Sequence, residues 1–315
     1  MNTFDIVIVN WNSATQLKEC INSIYNTQKK DCQLNKIIVV DNASTDTSLD
    51  LLQAFESDTL KIIRNSSNVG FAKACNIGAQ YCSSDFILFL NPDMLLFRDT
   101  FRNLFNYIDT HSREDVAIYG IQLLDDNKNI QKSCARFPTF LHFINRSLGL
   151  NKLNPTLFPS YTMEEWNHKT TQEVDQVMGA FFMIRRDLFV QLKGFDERFF
   201  VYYEELDLSK RVNEIGFKTL FISEAQAYHK GGGISQNVKA KRLFYNIRSR
   251  LLYAFKHFGL LEASFLMFFT LIIEPLTRSI FLLFRADFHE LKEMFEGFIL
   301  LYKDSINILR QGVQS

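Results

Sequence analysis

The chain has 315 residues, 47% of them hydrophobic, which is enough for one large domain with an appendage or two modest domains and argues against disorder. Lys+Arg and Asp+Glu balance at 35 each, so no net field draws nucleic acid, and no nucleic-acid partner is expected. The five cysteines are an odd number without a C-x-x-C pair, which reads as reduced thiols in a cytosolic setting and offers no zinc site.

The N-terminus, MNTFDIVIVN, has no basic region, and its apolar stretch is too short for a signal peptide. It reads as a first strand. Short apolar runs then alternate with amphipathic segments: FDIVIV before a helix over Ser13 to Tyr25, KIIVV before one over Ser48 to Phe55, LKIIR before one over Gly70 to Tyr81, and FILFL. Strands separated by segments of this length pair in parallel through right-handed crossovers, giving an α/β domain with a mainly parallel central sheet. Ligands of such sheets bind at the carboxyl ends of the strands. Each of these strands ends in Asn or Asp: Asn10 and Asn12, Asp41 and Asn42, Asn65 to Asn68, and Asn91 to Asp93.

The stretch from Leu123 to Asp175 is irregular, with three prolines, and is expected to form mobile connections that hold substrate loops. Order resumes at VMGAFFMIRRDLF, strand then helix. In the helix that follows, Leu208, Val212 and Ile215 form a buried stripe while Glu204, Glu205 and Asp207 crowd the first turn. Beyond Arg242 the pattern changes to long helical segments rich in Phe and Leu. The uncharged run ASFLMFFTLII falls short of the ~20 apolar residues of a spanning helix. Preceded by Lys239, Lys241, Arg242, Arg248, Arg250 and Lys256, it fits a helix lying in a membrane interface; packing on the domain or on a second subunit is the alternative. The expected division is therefore 1–240 and 241–315.

Taken alone, Asp93 is a turn or capping acid, Asp41 caps the next helix, and Gly70 at a helix entry is weak evidence for a nucleotide. His229 stands beside KGGGIS, a glycine run that offers few packing neighbours and favours a metal or phosphate role. Like charges at Glu204, Glu205 and Asp207 should raise at least one pKa, a property wanted in a general base, although spacing alone favours a solvated acidic cap.

Seven segments in order carry more than any one of them: IVIVNWNS, IIVVDNASTD, NVGFAKACNIG, FLNPDM, MGAFFMIRRDLF, GFDERFFVYYEELDLSKRVNEIGF and AYHKGGGIS. Together they resemble the family 2 inverting glycosyltransferases of GT-A fold, in particular the bacterial rhamnosyltransferase-like branch that builds O-antigen and other surface polysaccharides. The resemblance covers roughly the first three quarters of the chain. It implies that Asp41 reads the base of a nucleotide-sugar, dTDP- or UDP-linked, with Asn10, Asn12, Asn68 and Gly70 lining the same cleft. The family's D-x-D metal motif is here Asn91-Pro92-Asp93, so Mg²⁺ or Mn²⁺ is expected on Asp93, His229 and the donor diphosphate, with Asn91 a neutral oxygen donor. The family's E-D pair corresponds to Glu204 and Glu205, with Glu205 the base and Glu204 the alternative. Arg136 is expected at an acceptor phosphate, and Asp196 is expected to orient the acceptor. The implied reaction transfers a sugar, L-rhamnose from dTDP-L-rhamnose, to a polyprenyl-diphosphate-linked saccharide on the cytoplasmic face of the inner membrane. A UDP-hexose or UDP-galactofuranose donor, or a silent nucleotide-sugar-binding scaffold protein, are the alternatives, and a homo-oligomer is allowed. No G-x-G-x-x-G follows the first strand, which disfavours a nicotinamide dehydrogenase.

Overall fold

The computed structural model describes residues 1–30, 32–53, 55, 58–231 and 239–313. The chain divides into two compact units. One comprises residues 1–136, 164–197 and 204–233, the other 137–163, 198–203 and 234–315. Gly232 to Ser235 of the glycine run lie outside the described residues.

The first unit is built on a nine-stranded sheet. In chain order it contains β1 (Asn2–Asn10), α1 (Gln16–Tyr25), β2 (Cys32–Asp41), β3 (Leu60–Arg64), α2 (Phe71–Ala79), β4 (Phe86–Leu90), β5 (Met94–Leu96), α3 (Thr100–His111), β6 (Val116–Leu124) and β7 (Cys134–Ala135). A helical stretch of the second unit, α4 (Phe140–Leu148) and α5 (Leu150–Leu153), intervenes. The first unit resumes with β8 (Gln172–Val174), β9 (Gln176–Val177), β10 (Phe181–Arg185), α6 (Arg186–Gln191), α7 (Glu204–Glu214) and β11 (Lys218–His229). The sheet order is β3-β2-β1-β4-β10-β6-β11-β5, with β8 also on β11 and a separate β7–β9 pair. Strands β1, β2, β3, β4, β6 and β11 run one way, while β10, β5 and β8 oppose them. The expected mainly parallel α/β sheet is thus present, with β10 inserted against its neighbours between β4 and β6.

The runs FDIVIV, IIVV and FILFL are buried throughout, because in a sheet covered on both faces every strand position meets core. Phe4 packs on Phe101 and Phe105, and Phe89 on Phe189 and Phe195. Each such ring stabilises the fold by roughly 1.5–3 kcal/mol. All five cysteines are free thiols. Where a helix is expected over Ser48 to Phe55, the described residues form a single 3-10 turn, Asp50–Leu52. Asp46 explains part of this: its carboxylate takes the N–H of Ala14 and the N–H and hydroxyl of Ser48, holding the polar loop to β1 instead of releasing it into a helix.

The second unit holds α8 (Lys239–His257), α9 (Leu260–Phe284) and α10 (Phe288–Val313). Residues 140–148, expected as loop, form α4, capped by Thr139 with His142 returning a hydrogen bond to the Thr139 N–H. The uncharged run is part of a longer helix: α9 continues through Glu274 and Pro275 to 25 residues, long and apolar enough to cross a membrane by length and composition only. Continuity is possible because Glu274 is buried against the guanidiniums of Arg250 and Arg278, with Ser147 donating to it and Thr270 accepting from Arg250. Although burial opposes ionisation, the two Arg charges hold the Glu274 carboxyl down at about 2. The opposite face of α9 is uncharged and exposed, with Leu261, Phe265, Phe268, Ile272, Leu276 and Ile280 at helical spacing.

Candidate active site at the carboxyl edge of the sheet

β1 and β2 end level, with Asn10 paired to Asp41 in register. Asp41 is buried; its Oδ1 accepts from Asn10 Nδ2 at 2.7 Å and its Oδ2 from the Ser44 N–H at 3.1 Å. Asn10 has no exposed surface. Its amide also donates to Ser48 Oγ at 2.9 Å and Ser44 Oγ at 3.1 Å, and its Oδ1 accepts from the Ser13 hydroxyl. Asn10 therefore braces Asp41 from within, and the surface beside it belongs to Asn12 and Ser44. Asn12, at φ 51°, accepts from the Thr45 N–H at 2.7 Å and donates its own N–H to Ser44 Oγ at 2.9 Å. Ala14 and Ala43 are also left-handed, and such clusters of costly backbone persist where the loop is held for a purpose.

The next strand end is tied to this one through Asn42. Its N–H donates to the Asn10 carbonyl at 2.8 Å and its Nδ2 to the Gly70 carbonyl at 3.1 Å, while its Oδ1 accepts from Asn65 at 2.8 Å. Gly70 stands at φ 89°, ψ 167°, a conformation open to glycine, with its N–H taken by Asn68 Oδ1 at 3.0 Å. No side chain caps α2, so its first-turn N–H groups stay available to an anion.

Between β4 and β5, the Asn91 N–H donates to the Ala180 carbonyl at 3.0 Å and its carbonyl accepts from Met94 at 3.2 Å, while its carboxamide makes no hydrogen bond among the described residues. Two residues on, Asp93 Oδ2 lies 3.5 Å from His229 Nε2, with the two side chains 13% and 10% exposed. They meet because β11 pairs antiparallel with β5, setting His229 opposite Met94. Asp93 Oδ1 is buried with no hydrogen-bond partner among the described residues. A carboxylate oxygen in that state is costly unless something else is bound there. An acid and an imidazole make a donor set suited to Mg²⁺ or Mn²⁺. Among the described residues no group of three His, Cys, Asp or Glu side chains gathers, so a metal here would need ligands from its substrate.

Gly179 and Ala180 precede β10, whose Phe181 pairs with Leu90, and so lie on the same edge as Asn91 to Asp93. The Gly179 N–H donates to the Glu205 carboxylate, which lies under the position a Gly179 Cβ would take. Glu204 and Glu205 open α7 after Tyr202 and Tyr203, both left-handed at φ 69° and 70°. The two carboxyls lie beside each other, and the Oε2 atom of each is buried without a hydrogen-bond partner among the described residues. Burial and the neighbouring Glu205 charge push the Glu204 carboxyl well up; burial also raises Glu205, against the pull of the backbone N–H groups. The pair is thus biased towards holding a proton, Glu204 more strongly than Glu205. Asp207 is different: fully buried, it pairs with Arg211 Nε at 2.8 Å, and Arg211 binds the carbonyls of Leu192 and Gly194. Asn76 clamps the Phe195 backbone from both sides at 2.9 and 2.8 Å, fixing the loop that holds Asp196. Arg136 pairs with Glu165.

The arrangement is that of a GT-A nucleotide-sugar-binding fold. The glycosyl transferase family 2 model matches residues 5–192, and the chain belongs to that family; it is a glycosyltransferase. It is 27% identical over 258 residues to the rhamnosyltransferase WbbL of Escherichia coli (strain K12), covering 79% of this chain and 91% of that protein. Over 214 residues it is 23% identical to the N-acetylglucosaminyl-diphospho-decaprenol L-rhamnosyltransferase of Mycobacterium tuberculosis, covering 61% and 66%. Among solved structures, the mannosyltransferase PcManGT from Pyrobaculum calidifontis, in complex with GDP-Man and Mn²⁺, superposes with a TM-score of 0.54 at 14% identity, over 97% of this chain and 86% of that one.

Proposed function

We propose that the chain transfers L-rhamnose from dTDP-L-rhamnose, with inversion, to a hydroxyl of a polyprenyl-diphosphate-linked saccharide in bacterial surface polysaccharide synthesis. The observation that carries the chemistry is Asp93 Oδ1, without a hydrogen-bond partner among the described residues, beside His229 Nε2, with the Glu205 carboxylate at Gly179 on the same sheet edge. The rhamnosyltransferase relatives favour the sugar, and the decaprenol named for the mycobacterial relative favours the acceptor. A UDP-sugar donor is the second reading.

Asp41, on its Asn10 brace, takes the nucleobase N–H; Asn12, Asn68 and Gly70 line the nucleotide's path. Asp93 and His229 would hold Mg²⁺ or Mn²⁺, with Asn91 as a neutral oxygen nearby. When bound with the donor diphosphate, the metal neutralises the charge that grows on the leaving nucleoside diphosphate. Glu205 removes the acceptor hydroxyl proton as that oxygen attacks the anomeric carbon. A single displacement needs one base and no carboxylate nucleophile, so the product is inverted. Glu204, more deeply buried, keeps the proton and leaves Glu205 ionised.

The exposed apolar stripe of α9 is proposed to lie in the cytoplasmic membrane surface, where a lipid-linked acceptor resides. The ion cluster around Glu274 keeps the other face of α9 packed within its own unit, which favours lying over spanning. The test is incubation of the protein with dTDP-L-rhamnose, UDP-hexoses and UDP-galactofuranose, plus a polyprenyl-diphosphate saccharide and Mn²⁺. NMR of the product should show one new linkage of anomeric configuration opposite to the donor's. Retained configuration, or transfer from a UDP-sugar alone, would overturn the reaction or the donor respectively.

A further inference from the structure

β6 stops at Leu124 and the chain reverses over Asp125 to Asn129. Asp125 Oδ1 accepts from the N–H groups of Asn127 at 2.9 Å and Asn129 at 2.8 Å, Lys128 turns left-handed at φ 63°, and Ile130 bridges back to Leu124. The Gln131 N–H then donates to the Leu123 carbonyl at 2.8 Å. This turn delivers the Gln131 side chain to the last residue of β11. Its Nε2 donates to the His229 carbonyl at 2.8 Å and its Oε1 lies 2.8 Å from His229 Nδ1.

The two bonds determine each other. A backbone carbonyl only accepts, so the amide must present its nitrogen there and its oxygen to the ring. That oxygen also only accepts, so Nδ1 carries the hydrogen. In the neutral imidazole the lone pair then sits on Nε2, the atom 3.5 Å from Asp93 Oδ2. Two acceptor atoms thus face each other beside the partnerless Asp93 Oδ1, a place that only a cation or a proton can reconcile.

We propose that Gln131 is a positioning residue for the cation site: by fixing the tautomer and ring orientation of His229, it presents the Nε2 lone pair to a divalent metal. The inference rests on reading His229 as a ligand. Partners of this kind, hydrogen-bonded to a ligand imidazole, typically change metal affinity by about 10–100-fold when lost.

The experiment uses the full chain and two readouts besides turnover. Mn²⁺ is titrated with excess dTDP or UDP, run side by side, and free Mn²⁺ is followed by electron paramagnetic resonance. The ¹⁵N resonances of the His229 ring report its tautomer without any nucleotide. Gln131→Leu should weaken Mn²⁺ binding by about 10–100-fold and mix the two tautomers. Gln131→Glu, which still accepts from Nδ1–H although it loses the bond to the His229 carbonyl, should keep the wild-type tautomer; Gln131→Met serves as a second apolar replacement should the Leu variant not fold. Unchanged affinity and an unchanged tautomer in the apolar variants would overturn the proposal. His229→Ala binding Mn²⁺ as tightly as wild type would sink the ligand reading instead, while the tautomer spectra still decide whether Gln131 governs His229.

Discussion

Asp93 and His229, 136 positions apart in the chain (229 − 93), meet with Oδ2 3.5 Å from Nε2 because β5 pairs antiparallel with β11. Neither residue alone is distinctive, one being a turn acid and the other a strand-end histidine. Their meeting, with one carboxylate oxygen left without a hydrogen-bond partner among the described residues, is why we propose a cation site there.

Glu205→Gln should leave donor binding intact and lower kcat by about 10²–10⁴-fold, the usual worth of a general base. Steady-state kinetics with a separately measured donor Kd check this. Full activity would remove Glu205 from the mechanism.

Glu204→Gln should make the protein more stable, by an amount that depends on pH. The Glu204 carboxyl is raised in the folded protein, chiefly by burial and then by Glu205. A group raised in this way gives stability that is fully present below its ordinary value of 4.5 and is lost as pH rises through the folded value. The amide has no proton to lose, so the variant's advantage should grow to about 1–3 kcal/mol as pH is raised. Urea unfolding across pH 5 to 9 reads it, and a pH-independent difference would contradict a proton held at Glu204.

Glu274→Gln should destabilise the helical unit by about 3–5 kcal/mol, because Arg250 would be left buried without its charge partner. The sign with pH is opposite to that of Glu204. Held down at about 2, Glu274 contributes stability above its ordinary value of 4.5 that is lost as pH falls through about 2. Denaturant melts of wild type and variant should converge in acid.

The triple variant Phe265→Ser, Phe268→Ser, Ile272→Ser should no longer float with anionic phospholipid vesicles, while nucleotide binding is unchanged. If wild-type protein stays in solution and sediments instead as a concentration-dependent dimer, a second copy covers the stripe and the membrane reading fails.

How much of this was legible in the sequence depended on whether the signal was local. Four strands and the carboxylates at their ends could be read from apolar runs followed by Asn or Asp. Asn10 looked like part of the cleft lining, yet Ser13, Ser44 and Ser48 enclose it, and an Asn after a strand reads the same in either role. The α4 start was hidden because His142, not Glu or Gln, completes the Thr139 cap. Gln131 carried no spacing signal at all: its role follows from a turn after β6 and from a partner 98 residues away. That α9 continues past its uncharged run is not visible in the sequence, because an acid ordinarily ends an apolar run, and only its buried Arg partners show why Glu274 does not.

Metal-dependent donor binding at Asp93 is the central step of the proposed reaction. Thermal unfolding of wild type and Asp93→Ala, each with dTDP-L-rhamnose and UDP-sugars, with and without Mn²⁺, measures it directly. A ligand at 100 times its Kd stabilises the native state by about 2.7 kcal/mol. One sugar nucleotide should raise the wild-type midpoint accordingly, only with Mn²⁺ present, and should leave Asp93→Ala unmoved. Equal stabilisation without metal, or in Asp93→Ala, would contradict the site.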